Sequence, residues 1–256
     1  MKKIFYILIF VFSFCHVTAQ ETAKQFLIFK INTALLTKLH NEITETPSSP
    51  TTTSLTTHAT LGFDLELSFV QQITSLYALT GAYGFGVFSY GYEFYLPRSD
   101  VDFNLPFDLS EKFNFYRIIH NRLSFGNRIR ILKRNKQMFF LEGTLDIYVL
   151  RKGRSKYGIS AQVDAPQRVV DLMDSSIGLS PPSIIQPGWN ISANYELSIK
   201  DNMNITINAY LFSTFNNILD GDYELYTKHG NIRGRLYNKI AGKGVSVGLV
   251  QKLFSK

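Results

Sequence analysis

The sequence predicts an all-β fold: an antiparallel, up-and-down transmembrane β-barrel of about eight strands. Three observations support this prediction. Apolar and polar residues alternate with a period of two over long segments, the connections between those segments alternate between short and long, and the N-terminus has the pattern of an export signal. Alternation with a period of two is typical of strands, because successive side chains of a strand point to opposite faces.

Residues 1–19 predict a cleavable signal peptide. A positively charged start is followed by an apolar run over residues 4–14 and by a small-residue cleavage pattern at residues 17–19. The run is too short for a permanent membrane helix, which needs about twenty residues; an uncleaved anchor is the alternative. We expect residues 20–256 to form one exported barrel domain without cysteine, because Cys15 lies within the signal.

Eight segments have the periodicity of strands. In 57–69, Ala, Leu and Phe side chains occupy one face, while polar and small residues occupy the other. At about 3.3 Å per residue such a strand reaches about 43 Å, enough for a tilted membrane crossing. In chain order, the predicted strands are 26–36, 57–69, 76–88, 113–132, 138–150, 189–199, 203–215 and 243–254.

The connections between these strands alternate in length. The short ones lie near 71–74, 133–137 and 200–202, and the long ones cover 37–56, 89–112, 151–187 and 216–240. A membrane barrel with both termini on the periplasmic side has this arrangement, with three tight inner turns and four long outer loops.

A soluble lipocalin-like barrel or β-sandwich is the alternative fold, because periodicity alone does not say which face meets water. Three features favour the membrane. The polar face is rich in small residues, the strands are long, and aromatic residues gather near predicted strand ends, as in interfacial belts. These aromatic residues are Phe88, Tyr90, Tyr92, Phe113, Phe115, Tyr116, Phe139, Trp189 and Phe215.

The last predicted strand, Gly244–Phe254, alternates up to an aromatic residue and is similar to the terminal strand that barrel-assembly machinery reads. Ser255 and Lys256 follow it, which departs from the usual aromatic end. By its architecture, the chain resembles the small outer-membrane β-barrel proteins of Gram-negative bacteria, of the OmpA/OmpX kind. The resemblance implies residence in the outer membrane, contact with its lipid and lipopolysaccharide, and assembly by that machinery.

Charged residues are predicted to line the barrel lumen. On the polar faces of the strands lie Lys30, Asp64, Glu66, His120, Arg122, Arg128, Arg130, Glu142, Asp146 and Glu196. Because isolated buried ions are costly, we expect them to pair, with Arg128 and Arg130 facing Glu142 or Asp146 on the next strand. The expected result is a polar, mostly occluded lumen. A gated or proton-linked path is the alternative.

Catalytic and cofactor motifs are weak in this sequence. His120 and Ser124 share a face, but residues four apart in a strand are separated by about 13 Å, too far for a nucleophile and its base. The five histidines are scattered, so we expect no metal site and no cofactor. The formal charge of +7 could suit nucleic acid, but export argues against that partner.

The predicted outer loops differ in charge. Residues 91–112 are acidic, whereas Arg151, Lys152, Arg154 and Lys156 form a basic segment that we expect to contact lipopolysaccharide phosphates. The sequence therefore favours a structural or binding role in the cell envelope, with an envelope protein as a possible partner. A narrow pore or transport component is the alternative, and a lipid-modifying enzyme is a weaker one.

Overall fold

The computed structural model describes residues 24–105, 107–151, 154–164, 167–179 and 185–254, without the side chains of 113–116, 154–155, 163–164, 167–168 and 254. The predicted signal peptide lies outside the described residues. The strands are β1 (Gln25–Leu36), β2 (His40–Glu45), β3 (Ser54–His58), β4 (Leu61–Gln72), β5 (Tyr77–Leu96), β6 (Leu109–Arg134), β7 (Gln137–Leu150), β8 (Arg154–Asp164), β9 (Gln167–Leu179), β10 (Ile185–Lys200), β11 (Met203–Thr214), β12 (Leu219–Leu225), β13 (Ile232–Asn238) and β14 (Ala241–Phe254). One 3-10 turn covers Arg98–Asp100.

Eight of these strands close an antiparallel barrel in the order β5-β4-β1-β14-β11-β10-β7-β6, with β6 pairing back to β5. The predicted fold class and strand number are thereby confirmed. The tight turns lie at one end of the barrel, as expected. At Asn135, between β6 and β7, φ is 48°, a left-handed conformation that asparagine tolerates better than most residues.

The barrel exterior is apolar and its interior is polar. On β4 the side chains of Leu61, Phe63, Leu65 and Leu67 are exposed. The residues between and after them, at positions 62, 64, 66 and 68, face the lumen and are buried. A soluble barrel has the opposite arrangement, so the lipocalin-like alternative is wrong. From Leu61 to Phe69 the apolar face extends about 27 Å along the strand, which suits a membrane layer. No helix among the described residues is long and apolar enough to cross a membrane.

The prediction of four long outer loops is wrong for the described residues, because these segments are mostly strands. β2, β13, β12, β9 and β8 form a five-stranded sheet, and β3 pairs with the distal part of β5. The order of the five-stranded sheet, β2-β13-β12-β9-β8, matches the order β1-β14-β11-β10-β7 of the barrel strands that are next to them in the chain. We call β2, β3, β8, β9, β12 and β13, together with residues 89–96 of β5 and 109–119 of β6, the extension. Four of its strands, β2, β3, β12 and β13, have only five to seven residues, too few to match the length of a membrane-crossing strand.

The extension has its own apolar core, continuous with the outer end of the lumen. Phe94, Met173, Leu225, Leu236 and Ile240 are all fully buried there. The predicted aromatic belt is wrong for three of its residues. Three of the predicted belt residues are instead buried inside, namely Phe88, Tyr90 and Tyr92. They point inward because β5 continues past the barrel and its aromatic residues fill the extension.

Two seams interrupt the ring of extension strands. Between β2 and β3, Asn41 Nδ2 donates to the Leu55 carbonyl at 2.6 Å, and Thr57 Oγ1 donates to the Leu39 carbonyl at 2.6 Å. Between β6 and β8, no strand pairing is found in the described part of the chain. The first seam is therefore closed by side chains, whereas among the described residues β8 has β9 as its one pairing strand.

At the tip of the extension, Asp100 holds together two connections. Its Oδ2 accepts hydrogen bonds from the hydroxyl groups of Thr51 and Thr53 and from the backbone amides of Thr52 and Thr53. Burial disfavours the ionised carboxylate, but these hydrogen bonds outweigh it and lower the pKa of Asp100 below its ordinary value. Asp100, one of the acidic residues of the segment 91–112, thus has a structural use.

Candidate functional site

The charged lumen is the candidate site, and strand register sets its geometry. One cross-strand row runs from Lys30 through Glu66 and Gly84 to Arg122. The neighbouring row places Gly86 between Asp64 and His120. Because each glycine lacks a side chain, the side chains of β6 can cross β5 and reach the carboxylates of β4.

Arg122 is the centre of this arrangement. Its Nη2 lies 2.6 Å from Glu66 Oε2 and 2.9 Å from Asp64 Oδ1, and its Nη1 lies 3.7 Å from Asp146 Oδ2. Lys30 Nζ lies 2.9 Å from Glu66 Oε1, and His120 Nε2 lies 3.1 Å from Asp64 Oδ2. We call these six residues the lumen network. All are buried, so their pairing offsets a large desolvation cost.

A second ion pair lies nearer the end of the barrel with the tight turns. Arg128 Nη2 lies 2.5 Å from Glu196 Oε1, and the Arg128 guanidinium stacks 3.9 Å above the Phe140 ring. Glu142 is the register partner of Arg128, but its carboxylate lies 3.9 Å from Arg128 Nε. Arg128 therefore reaches past β7 to β10 for its main partner.

Aromatic rings close the lumen on the side of the extension. The ring of Phe88 stacks on His120 with centroids 4.1 Å apart, and Phe212 stacks on Phe88 at 5.6 Å. The free space around the lumen network is about 30 Å³. That volume holds one or two water molecules and no organic solute.

The lumen contains nine of the ten predicted network residues in buried positions, and two predicted pairings need correction. Asp146 pairs with Arg122, not with Arg128 or Arg130. Arg130 is half-buried at the inner mouth, and it has no ion pair within the described part of the chain. A register shift between Arg130 and Leu132 turns β6 at this point, so strict alternation fails there.

Sequence reasoning missed several neutral partners of the charges. Asn32 Nδ2 donates to Asp64 Oδ1 at 2.7 Å, Ser68 Oγ donates to Glu66 Oε1 at 2.6 Å, and Thr144 Oγ1 donates to Asp146 Oδ1 at 2.8 Å. Each donor lies two residues from a network residue or directly across from one. The same period of two that located the charges could therefore have found them.

The site offers little for catalysis in its present conformation. His120 is 0% exposed, enclosed by Phe88 and by Tyr148, and its Nε2 is engaged with Asp64. Among the described residues, no group of three or more His, Cys, Asp or Glu side chains is arranged to hold a metal ion.

The predicted basic segment is only partly described. Arg151 and Lys156 are exposed, Lys152 lies outside the described residues, and the side chain of Arg154 is not described. Its contact with lipopolysaccharide stays a prediction. Two other extension cations have partners within the sheet: Arg233 pairs with Glu45 and Glu224, and Arg235 with Asp220.

We expect Gly84→Val to destabilise the barrel by about 1–3 kcal/mol, the usual cost of overpacking. A Cβ at Gly84 would lie 2.8 Å from Asp64 Oδ2 and 3.1 Å from Arg122 Nε, and both groups are held by the network. Urea unfolding followed by the fluorescence of the single tryptophan, Trp189, measures the change. Gly143→Val is the matched control, because no atom lies within 4 Å of a Cβ there; equal losses in both variants would contradict the expectation.

The closed barrel, its apolar exterior and its filled lumen define a protein with the fold of the small outer-membrane β-barrels. No family model and no curated protein sequence matches the chain. Among solved structures, it is similar to the outer-membrane protein OprG from Pseudomonas aeruginosa, with a TM-score of 0.50 and 7% identity over 92% of this chain and 98% of that one. At this identity the similarity defines the fold alone.

Two more remote similarities are with outer-membrane barrels of different kinds. Neisserial surface protein A matches with a TM-score of 0.39 and 10% identity over 91% of this chain and 100% of that one. The outer-membrane protease OmpT from Escherichia coli matches with a TM-score of 0.35 and 9% identity over 91% and 96%.

Proposed function

We propose that this protein is a non-conducting barrel of the outer membrane that anchors the extension and presents it to a partner in the cell envelope. The observation that carries the proposal is the filled lumen. The free space around Arg122 is about 30 Å³, room for one or two water molecules, which supports a lumen closed to solutes. The barrel then serves as a rigid anchor for the extension.

The extension suits a binding role because it is folded and anchored at many points. Its strands continue the barrel strands, its core is apolar, and Asp100 fixes its tip. A preorganised surface loses little conformational entropy on binding, which favours affinity. The enclosed position of His120 supports a non-enzymatic role.

We expect the refolded parent protein to be silent in planar bilayers. Single-channel recording is the measurement, after gel migration of unheated and heated samples has shown that the barrel is folded. A variant with both Arg122→Ala and Arg128→Ala serves as the leak control, because it removes the two guanidinium groups that cross the lumen. Stable openings of the parent would overturn the proposal and favour the narrow pore.

The presenting role has its own test in cells. Replacing the β8–β9 hairpin (residues 154–179) by a short turn should reproduce the phenotype of a complete deletion while the barrel still assembles. Normal behaviour of these cells would locate the function outside that hairpin.

A further inference from the structure

We propose that a pocket at the tight-turn end of the barrel binds a carboxylate that carries a short alkyl group. This pocket, which we call the inner pocket, lies between Arg128 and the turn that joins β4 to β5. A barrel whose termini lie on the periplasmic side opens to the periplasm at this end. The inference goes beyond the proposed function, because it concerns the end of the barrel opposite the extension and does not depend on whether the barrel conducts.

The walls of the inner pocket are apolar, unlike the polar lumen around Arg122. A buried apolar cluster is formed there by Ile28, Val70, Ala78 and Val250, with Phe26 packed against it. The free space is about 60 Å³. Since a cavity of about 150 Å³ accommodates benzene, this space suits a group of about three carbon atoms. An alkyl group fills such a space best, because it restores dispersion contacts with the apolar walls.

Arg130 gives the inner pocket a positive charge that has no ion pair among the described residues. Its side chain is half-buried and lines the pocket. Among the described lining residues Glu196 is the one acid, and both of its oxygens are engaged. Its Oε1 lies 2.5 Å from Arg128 Nη2, and its Oε2 accepts a hydrogen bond from Asn204 Nδ2 at 3.3 Å. A carboxylate from a ligand can therefore supply the charge-assisted hydrogen bonds that Arg130 does not find in the barrel.

A second donor in the inner pocket points to the same ligand chemistry. Arg128 is 4% exposed, and its Nε has no hydrogen-bond partner among the described residues. Glu142 Oε2 lies 3.9 Å from this Nε, which is beyond hydrogen-bond distance. A buried N–H without an acceptor is costly. Arg128 and Arg130 are two residues apart on β6, about 7 Å along the strand, so a carboxylate between them is within reach of both.

The C-terminal end of a polypeptide carries both parts of this ligand. In a C-terminal valine, one carbon atom bears a carboxylate and an isopropyl group, and the free acid isovalerate has the same arrangement. Gln72, Thr74 and Ser75 line the inner pocket on the side of the β4–β5 turn. Their polar groups can form hydrogen bonds with the backbone of a peptide, which a free acid does not have.

Methyl NMR of the refolded full chain in lipid nanodiscs, labelled at the methionine methyl groups, tests the proposal. Met138 lines the inner pocket, whereas Met173 is fully buried in the extension core. We expect N-acetylvaline to shift the Met138 signal saturably and to leave the Met173 signal unchanged. N-acetylvalinamide, which lacks the carboxylate, should bind at least about tenfold more weakly, because a hydrogen bond to a charged group is lost. N-acetylglycine, which lacks the isopropyl group, should also bind about tenfold more weakly.

A comparison of two further probes distinguishes the sources of the carboxylate. If a tetrapeptide that ends in valine binds more tightly than isovalerate, the ligand is the end of a polypeptide. If the two bind equally, the ligand is a free short-chain acid, and the inner pocket is a carboxylate site in both cases.

Arg130→Gln should weaken the binding of N-acetylvaline at least about tenfold. Arg134→Gln is the matched control and should bind as the parent does, since Arg134 is an exposed arginine of the same strand outside the pocket. Arg130 is half-buried at the inner mouth, so the fold should survive, and gel migration checks this. The proposal is overturned if N-acetylvaline leaves the Met138 signal unchanged or if Arg130→Gln binds as the parent does. Equal binding of N-acetylvalinamide or of N-acetylglycine would also overturn it.

Discussion

Arg122→Met should destabilise the folded barrel by about 3–5 kcal/mol, the usual result of removing one partner from a buried ion pair. The parent guanidinium contacts the carboxylates of Asp64, Glu66 and Asp146. After its removal, Lys30 and His120 are the remaining network groups beside these acids. The uncompensated charges, more than the lost volume, account for the effect. Urea unfolding in detergent, followed by Trp189 fluorescence, measures it.

Two further variants separate charge from shape at Arg122. Arg122→Lys keeps the charge but loses the fork that serves several acids at once, so we expect an intermediate loss. Combining Arg122→Met with Asp64→Asn and Glu66→Gln should recover part of the stability, because two buried charges then disappear. Arg117→Met on the same strand is the exposed control. A loss below about 1 kcal/mol in Arg122→Met, typical of surface pairs, would contradict a central role for Arg122.

The barrel itself could be predicted because alternation along a strand and short turns between strands are both features of neighbouring residues in the sequence. Alternation places Leu65 outside and Glu66 inside whatever the rest of the chain does, and short turns pair consecutive strands. The same logic located nearly all charged lumen residues. It failed at Arg130, where an irregular register changes the direction of the side chain.

The pairing of the lumen charges could not be predicted in the same way. Arg122 finds its partners on β4, across β5, and this depends on the absence of a side chain at Gly84 between them. Small residues on the polar face, glycines among them, indicate a narrow lumen from the sequence alone. The glycines also let side chains cross an intervening strand. Predicting which side chains cross requires the relative register of three strands, which the sequence does not provide.

The extension was missed because its core is assembled from distant segments. Phe94 on β5, Met173 on β9 and Leu236 on β13 meet only after the barrel has set the order of its strands. β13 has only seven residues, and β9 lies within residues 151–187, which the sequence predicts to be an outer loop. Closure of the barrel therefore supplies the strand order that these segments do not specify by themselves.

Phe94→Ala should loosen the extension while leaving the membrane barrel intact. Phe94 is 0% exposed in the extension core, and truncating a buried phenylalanine costs about 3–5 kcal/mol. Because the short strands β2, β3, β12 and β13 depend on that core, we expect them to become accessible to protease. Limited proteolysis with mass spectrometry should find cuts within residues 40–58 and 219–238, while the protected fragments retain the heat-dependent gel migration of a folded barrel.

Phe85→Ala is the matched control, because Phe85 lies on the same strand but is 45% exposed on the apolar exterior. We expect its extension to resist protease as the parent does. If Phe94→Ala were equally resistant, the extension would not depend on its apolar core. If the barrel unfolded together with the extension, the two would form one cooperative unit, and the barrel could not serve as an independent anchor. Selective loosening would instead mean that the barrel is stable without the structure it presents, as the proposed function requires.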